Sequence, residues 1–186
     1  MRIIGGKFRG RAIAAPEGRD TRPTGDRARE AVFNVLTHAE WSPGLEGRRV
    51  LDLFAGSGAL GFEALSRGAA FALFVETDAA ARGALRDNIE ALRLFGVTRI
   101  HRRDATDLGV KPAGLGEPFD LVFLDPPYHR ELGSAALARL SAGGWVNAGA
   151  LAVFECAADE TPSTTGFEVL DTREYGAAKV LFLRAV

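Results

Sequence analysis

VLDLFAGSGALG, residues 50–61, gives the clearest indication of the fold. An apolar run is followed by glycines at positions 56, 58 and 61, which match the spacing G-x-G-x-x-G. This spacing is typical of a strand, a tight loop and a helix that hold a ligand close to the backbone. On both sides of it, from about residue 48 to residue 156, strand-like and helix-like segments alternate. The alternation predicts an α/β fold with a doubly wound, mostly parallel sheet.

The two ends of the chain depart from this alternation. Two strand-like runs flank YGAA at residues 175–178, which predicts an antiparallel C-terminal hairpin at the edge of the sheet. The first 16 residues predict two short strands around a glycine-rich turn, and a helix should begin after Asp26. We therefore expect a small N-terminal hairpin and helix extension over residues 1–25 and one α/β domain over residues 26–186.

The distribution of charge separates the same two regions. Residues 1–30 hold eight Lys and Arg against four Asp and Glu, whereas the rest holds fifteen against twenty. A basic end on an acidic chain indicates either a contact with a polyanion or a solvated polar arm.

Composition argues against several classes of protein. No apolar run approaches membrane-spanning length, and the N-terminus lacks the apolar centre of a signal peptide. The single cysteine, Cys156, excludes an internal disulfide and lies in the apolar run LAVFECA, as a buried thiol would. The three histidines, at positions 38, 101 and 129, show no metal-ligand spacing. We expect a cytoplasmic protein without a membrane segment or a metal site.

Glu76 lies twenty residues after Gly56, at the end of the next predicted strand, where a carboxylate can bind ribose hydroxyls. Two cofactor classes fit this arrangement. A nicotinamide dinucleotide would bring its pyrophosphate to the helix N-terminus, but Asp52 adds negative charge just before that loop. S-adenosylmethionine has a ribose, no phosphate, and cationic sulfonium and ammonium groups. We expect S-adenosylmethionine and keep a dinucleotide-dependent oxidoreductase as the alternative.

The predicted cofactor contacts lie at the carboxyl ends of successive strands, where open α/β sheets bind ligands. Asp52 would face the amino group, the glycine loop the methionine portion, and Asp104 with Ala105 the adenine. The full predicted set is Asp52, Phe54, Ala55, Gly56, Gly58, Glu76, Thr77, Asp104 and Ala105.

DPPY, residues 125–128, follows the apolar run FDLVFL and should lie at the same edge of the sheet. An exocyclic amine of a nucleobase is a poor nucleophile that has to be positioned by hydrogen-bond acceptors. The Asp125 carboxylate and the Pro126 carbonyl, held stiffly by two prolines, are suitable acceptors. Tyr128 can stack on the base. Asp125, Pro126 and Tyr128 are therefore the predicted catalytic residues.

Five blocks of the sequence resemble the bacterial RsmD family of methyltransferases. They are RIIGGKFRGR (2–11), TRPTGDRAREAVFNVL (21–36), LDLFAGSGALGFEALSRGA (51–69), FVETD (74–78) and FDLVFLDPPY (119–128). The resemblance implies a Rossmann-like, seven-stranded methyltransferase sheet, S-adenosylmethionine as cofactor, and no metal. It implies methyl transfer to N2 of a guanine, number 966 in the reference numbering, of 16S rRNA in the small ribosomal subunit.

DPPY alone is shared with enzymes that methylate N6 of adenine, so an adenine-N6 methyltransferase acting on RNA or DNA remains an alternative. An RNA-binding module with an inactive cofactor site is a third interpretation.

With 16S rRNA as partner, the N-terminal cations would contact phosphates without reading the sequence. The predicted RNA-binding residues are Lys7, Arg9, Arg11, Arg22 and Arg27. We expect the protein to be a monomer.

Overall fold

The computed structural model describes residues 1–17 and 25–186. In that part of the chain seven strands form one sheet: β1 (Arg49–Leu53), β2 (Phe71–Val75), β3 (Thr98–His101), β4 (Phe119–Leu124), β5 (Val146–Ala157), β6 (Phe167–Tyr175) and β7 (Ala178–Ala185). Their order across the sheet is β3-β2-β1-β4-β5-β7-β6. Strands β1 to β5 pair in parallel, and β7 pairs antiparallel with both β5 and β6.

The helices cover both faces of this sheet. They are α1 (Gly25–His38), α2 (Ala59–Ser66), α3 (Ala79–Leu92) and α4 (Leu132–Ala142), with short 3-10 helices at Phe95–Val97, Ala105–Asp107 and Ala113–Leu115. Apolar residues of α1, α2 and α3 pack together against one face, and those of α4 pack against the other. The doubly wound, mostly parallel sheet predicted from the sequence is confirmed.

The predicted C-terminal hairpin is also confirmed. The structure further shows which of its two strands is internal to the sheet and which forms the edge. Residues 180–183 of β7, VLFL, are all buried, whereas most of β6 is exposed or only partly buried. Because an inner strand is covered on both faces, the apolar strand β7 pairs with β5 and the polar strand β6 forms the edge.

In the N-terminal extension, the two predicted strands are reduced to one antiparallel bridge between Arg2 and Ala12. The backbone of this segment makes a few hydrogen bonds within itself, such as Ile3 N to Arg11 O (3.0 Å), and also bonds to α2. Lys7 N donates to Ser66 O (2.8 Å), and Phe8 N donates to Ser66 Oγ (2.9 Å). Nearby Ile3 and Ile13 are buried in the same cluster as α1, α2 and α3.

Glu63, a fully buried carboxylate of α2, is the main polar anchor of this extension. It accepts hydrogen bonds from Ile4 N (2.9 Å) and Gly5 N (2.8 Å), and Arg67 Nε donates to it at 2.9 Å. Arg29 of α1, also buried, brings its Nε to 3.7 Å from Glu63 Oε2. A buried carboxylate is tolerated when several donors satisfy it, so Glu63 couples the extension to two helices.

Asn88 of α3 makes a second buried connection. Its Oδ1 accepts from Ala14 N (2.7 Å), and its Nδ2 donates to Ala14 O (3.0 Å) and to Ser57 O (3.1 Å). One side chain therefore holds the extension and the glycine loop together.

We predict that Glu63→Ala lowers the free energy of unfolding by about 3 kcal/mol, because it leaves the buried Arg29, the partly buried Arg67 and two backbone amides without their acceptor. Urea unfolding followed by circular dichroism measures the change. Glu90→Ala, at an exposed position of α3, is the matched control and should change stability by less than about 0.5 kcal/mol. Equal losses in the two variants would contradict the anchoring role.

Candidate active site

A cavity of about 960 Å³ opens at the carboxyl ends of β1, β2, β4 and β5. The strand order reverses between β1 and β4, and open α/β sheets bind ligands at such a switch point. The volume is within the range of small-molecule sites. Eleven of the predicted cofactor-binding and catalytic residues line the cavity: Asp52, Phe54, Ala55, Gly56, Glu76, Thr77, Asp104, Ala105, Asp125, Pro126 and Tyr128.

Gly58 is the one predicted cofactor residue outside the cavity lining. It has φ +81°, and a Cβ atom there would lie 2.5 Å from Leu85 Cδ2 and 2.6 Å from Phe62 Cε2. Gly58 is therefore required for the left-handed turn and for close packing beneath the loop.

Gly61 is the third glycine of the motif, and helix packing requires a glycine at this position. A Cβ atom at this position would lie 2.4 Å from Phe74 Cε1, so only glycine lets α2 approach β2 this closely. Gly61 N then donates to Asp52 Oδ2 at 3.0 Å. The motif thus packs the helix on the sheet and supplies one partner to a buried carboxylate.

Asp52 is almost fully buried at the floor of the cavity. Burial raises its pKa well above the ordinary value, the Gly61 N–H partly opposes this shift, and the nearby carboxylates of Asp125 and Glu76 raise the pKa further. A cation bound beside Asp52 would favour its ionised form. The electrostatics therefore suit a positively charged ligand.

Glu76 organises the glycine loop. Its Oε2 accepts from Gly56 N (2.8 Å), and its Oε1 accepts from Asp78 N (3.0 Å). Each carboxylate oxygen has two acceptor sites, so Glu76 can hold the loop and still accept hydroxyl groups of a ligand.

Asp104 begins the 3-10 helix Ala105–Asp107. Its Oδ1 accepts from Thr106 N (2.8 Å) and Thr106 Oγ1 (2.7 Å), and these two hydrogen bonds lower its pKa. Asp104 is thus a fixed, ionised acceptor at the rim of the cavity.

The DPPY loop follows directly on β4, which ends at Leu124. Pro126 is buried, and the Tyr128 hydroxyl donates to Oε1 of Glu155 on β5. This hydrogen bond fixes the tyrosine ring at the wall of the cavity.

Several cavity residues were not predicted as site residues. Those with a charged or phenolic side chain are Asp26, Arg29, Arg103, Glu155 and Tyr175. For Glu155 a signal exists, because a charged residue interrupts the apolar run LAVFECA. Arg103 directly precedes the predicted residue Asp104. Asp26, Arg29 and Tyr175 come from elements distant in sequence, and only their packing brings them to the cavity.

The predicted RNA-binding residues that the structure describes do not line the cavity. Lys7, Arg9, Arg11 and Arg27 are exposed, and Arg11 Nη2 donates to Ala91 O (2.7 Å) on α3. Arg22 lies outside the described residues.

Within residues 1–17 and 25–186, no group of three or more His, Cys, Asp or Glu could hold a metal ion. In the same ranges, no helix is long and apolar enough to cross a membrane.

The raised pKa of Asp52 predicts a pH-dependent stability. Between the ordinary carboxyl pKa, about 4, and the raised value, the folded state keeps a proton that the unfolded chain has lost. The free energy of unfolding therefore falls as pH rises through this window, by at most about 1.4 kcal/mol per pH unit. Asp52→Asn should remove this component.

Urea unfolding at a series of pH values tests this, because contributions shared by wild type and Asp52→Asn cancel in their difference. The stability of the variant relative to wild type should increase with pH from about 4 and then level off. Asp87→Asn, at an exposed position of α3, should run parallel to wild type. Parallel curves for Asp52→Asn would rule out the raised pKa.

Comparisons with known proteins identify the family of this chain. Residues 1–184 match the family model described as conserved hypothetical protein 95. YlbH of Bacillus subtilis is 36% identical over 182 residues, which cover 97% of this chain and 96% of YlbH. Ribosomal RNA small subunit methyltransferase D of Escherichia coli K12 is 40% identical over 146 residues, 78% of this chain and 69% of that protein.

A solved structure, yhhF from Escherichia coli, has a TM-score of 0.81 at 34% identity and covers 100% of this chain and 97% of its own. More distant neighbours share the fold of S-adenosylmethionine-dependent methyltransferases, and one was solved with S-adenosylhomocysteine. The family match over nearly the whole chain establishes that this protein belongs to the RsmD/YlbH family, as its five sequence blocks predict.

Proposed function

We propose that this protein transfers the methyl group of S-adenosylmethionine to the exocyclic N2 of a guanine in 16S rRNA, at guanine 966 of the reference numbering. One observation supports this most strongly: the acceptors of the DPPY loop and the carboxylates around the glycine loop line the same cavity. The name of the Escherichia coli relative supports small-subunit rRNA as the substrate class.

The cofactor half of the cavity fits a cationic nucleoside. Asp52, held at the floor with a raised pKa, would be the partner of the ammonium or sulfonium charge. Glu76 would accept the ribose hydroxyls, and Asp104, fixed by Thr106, would accept from the adenine amine. When bound, S-adenosylmethionine supplies an electrophilic methyl group. A pyrophosphate would instead meet Asp52 and Glu76, which disfavours the dinucleotide alternative.

The base half has to hold a weakly nucleophilic amine. Asp125 and the Pro126 carbonyl would accept its two N–H groups, and the Tyr128 ring would stack on the base. These contacts favour a more tetrahedral nitrogen whose lone pair is available for attack. As the new N–C bond forms, the S–C bond to the methyl group would break and leave S-adenosylhomocysteine. The N–H proton becomes acidic only during this step and would pass to the Asp125 carboxylate that accepts it, so no strong base is needed beforehand. Most of the rate gain is then proximity and orientation.

The N-terminal extension, residues 1–25, would serve as an RNA-contacting unit attached to the methyltransferase domain, residues 26–186. Lys7 and Arg9 project from the extension, and Arg27 lies exposed on α1. Cations on an otherwise acidic protein would direct the polyanion to this side. A guanine in an RNA loop is already partly unstacked, which lowers the cost of inserting it into the cavity.

Analysis of the methylated product distinguishes adenine-N6 methylation from the proposed guanine-N2 methylation. Methyl transfer from labelled S-adenosylmethionine to a 16S rRNA fragment, and to assembled small subunits lacking the mark, is followed by nucleoside chromatography. N2-methylguanosine is the expected product, and N6-methyladenosine would refute the guanine assignment.

We predict that Asp125→Ala lowers the rate of methyl transfer by about 100-fold or more, because one acceptor of the reacting amine is lost. Single-turnover assays measure the rate, and calorimetry should give cofactor affinity within a few-fold of wild type. Asp87→Ala, on the exposed face of α3, should keep the wild-type rate. Undiminished turnover in Asp125→Ala would remove this residue from the mechanism.

We predict that replacing both Arg9 and Arg27 by alanine weakens RNA binding and flattens its salt dependence. Each lost phosphate contact should reduce the slope of log K against log salt by about 0.7 to 0.9. Fluorescence anisotropy with a labelled RNA fragment between 50 and 200 mM salt, the range over which such slopes are about linear, gives this slope. Arg99→Ala, at an exposed position of β3, is the control. An unchanged slope in the double variant would mean that these cations do not contact phosphate.

A further inference from the structure

We propose that Glu155 selects guanine over purines with an unprotonated N1, by accepting the N1–H of the target base. This inference rests on the proposed function, because it assumes that the base half of the cavity receives a purine amine.

The sheet sets Glu155 beside Asp125. Leu124, the last residue of β4, pairs in register with Phe154 of β5, so the next positions along the two strands are Asp125 and Glu155. Phe123 and Val153, two residues earlier, belong to the hydrophobic cluster on the α1 face. Because side chains alternate along a strand, Asp125 and Glu155 also project from that face. Both line the cavity.

A carboxylate is unexpected at this position. Glu155 lies within the paired part of β5, opposite Val180 of β7, and between the buried residues Phe154 and Cys156. Its own side chain is partly buried. A partly buried charge lowers stability unless polar groups satisfy it, and the Tyr128 hydroxyl provides one donor.

The hydrogen bond to Tyr128 ties this carboxylate to the stacking residue. The tyrosine ring and the Glu155 carboxylate form adjoining parts of one wall, since the phenol oxygen contacts Glu155 Oε1 directly. A base stacked on that ring would have its edge directed at the carboxylates of Asp125 and Glu155. Asp125 is assigned to the exocyclic amine, which leaves the neighbouring ring position to Glu155.

Purines differ at that ring position. Guanine carries its N2 amine next to N1–H, a donor that a carboxylate can accept. Adenine carries its N6 amine next to an unprotonated N1, whose lone pair would face the carboxylate and be repelled. A site that hydrogen-bonds a donor rejects an analogue lacking it, because its buried polar group is then left unsatisfied. Glu155 therefore supplies the discrimination that DPPY alone lacks.

The test uses RNA fragments with guanine or 2-aminopurine at the target position. The two bases share the N2 amine, but 2-aminopurine has an unprotonated N1. The readout is the ratio of kcat/KM values for methyl transfer to the two RNAs. In Glu155→Gln the side-chain oxygen can still accept from Tyr128, while the new amide can donate to an unprotonated N1. We expect Glu155→Gln to reduce the guanine preference of wild type by about 10- to 100-fold.

Two further variants separate direct selection from positioning and from general effects. Tyr128→Phe removes the hydroxyl bond to Glu155, and its guanine preference should stay near the wild-type ratio whatever its rate. Glu168→Gln, at an exposed position of β6, should also keep the wild-type ratio. The inference is overturned if Glu155→Gln keeps the wild-type preference, or if Tyr128→Phe lowers it as much as Glu155→Gln does.

Failure of the proposed function would look different. In that case wild type would not methylate guanine N2 in either the RNA fragment or the assembled subunit. If wild type methylates guanine and Glu155→Gln leaves the ratio unchanged, only the selectivity assignment fails.

Discussion

The rest of the structure depends on the close contact of α2 with β1 and β2 at Gly61. The missing side chain at Gly61 admits Phe74 and lets the Gly61 N–H reach the buried carboxylate of Asp52. A larger residue would push the helix away and leave Asp52 without this partner. The same contact aims the N-terminal end of α2 and the glycine loop at the point where the strand order reverses, which is why the cavity forms there.

Negative charge gathers on one face of the sheet at this point. Burial raises the pKa of Asp52, and the nearby carboxylates of Asp125 and Glu76 raise it further. Glu155 on β5 lines the same cavity. A cation bound beside these carboxylates favours the ionised form of Asp52, and S-adenosylmethionine carries such a charge.

The N-terminal extension is held by buried polar groups as much as by apolar contact. Glu63 and Asn88 satisfy backbone amides of the extension from α2 and α3, and Asn88 also reaches the glycine loop at Ser57. Movement of the extension would thus disturb the loop that faces the cofactor. The side chain of Asn88 therefore connects the position of the extension to the geometry of the glycine loop.

The sequence by itself determined the alternation of strands and helices, the glycine loop and the DPPY loop, because periodicity and turn residues act locally. It also indicated that the carboxylates after successive strands lie near one another, since parallel strands bring their carboxyl ends to one edge of the sheet. Only the tertiary structure decided that β7 lies between β5 and β6 and that Gly58 packs beneath the loop. It also decided that Glu155 lines the cavity with Asp125 and accepts a hydrogen bond from Tyr128. These outcomes depend on the pairing of distant strands and on buried partners, which no local pattern specifies.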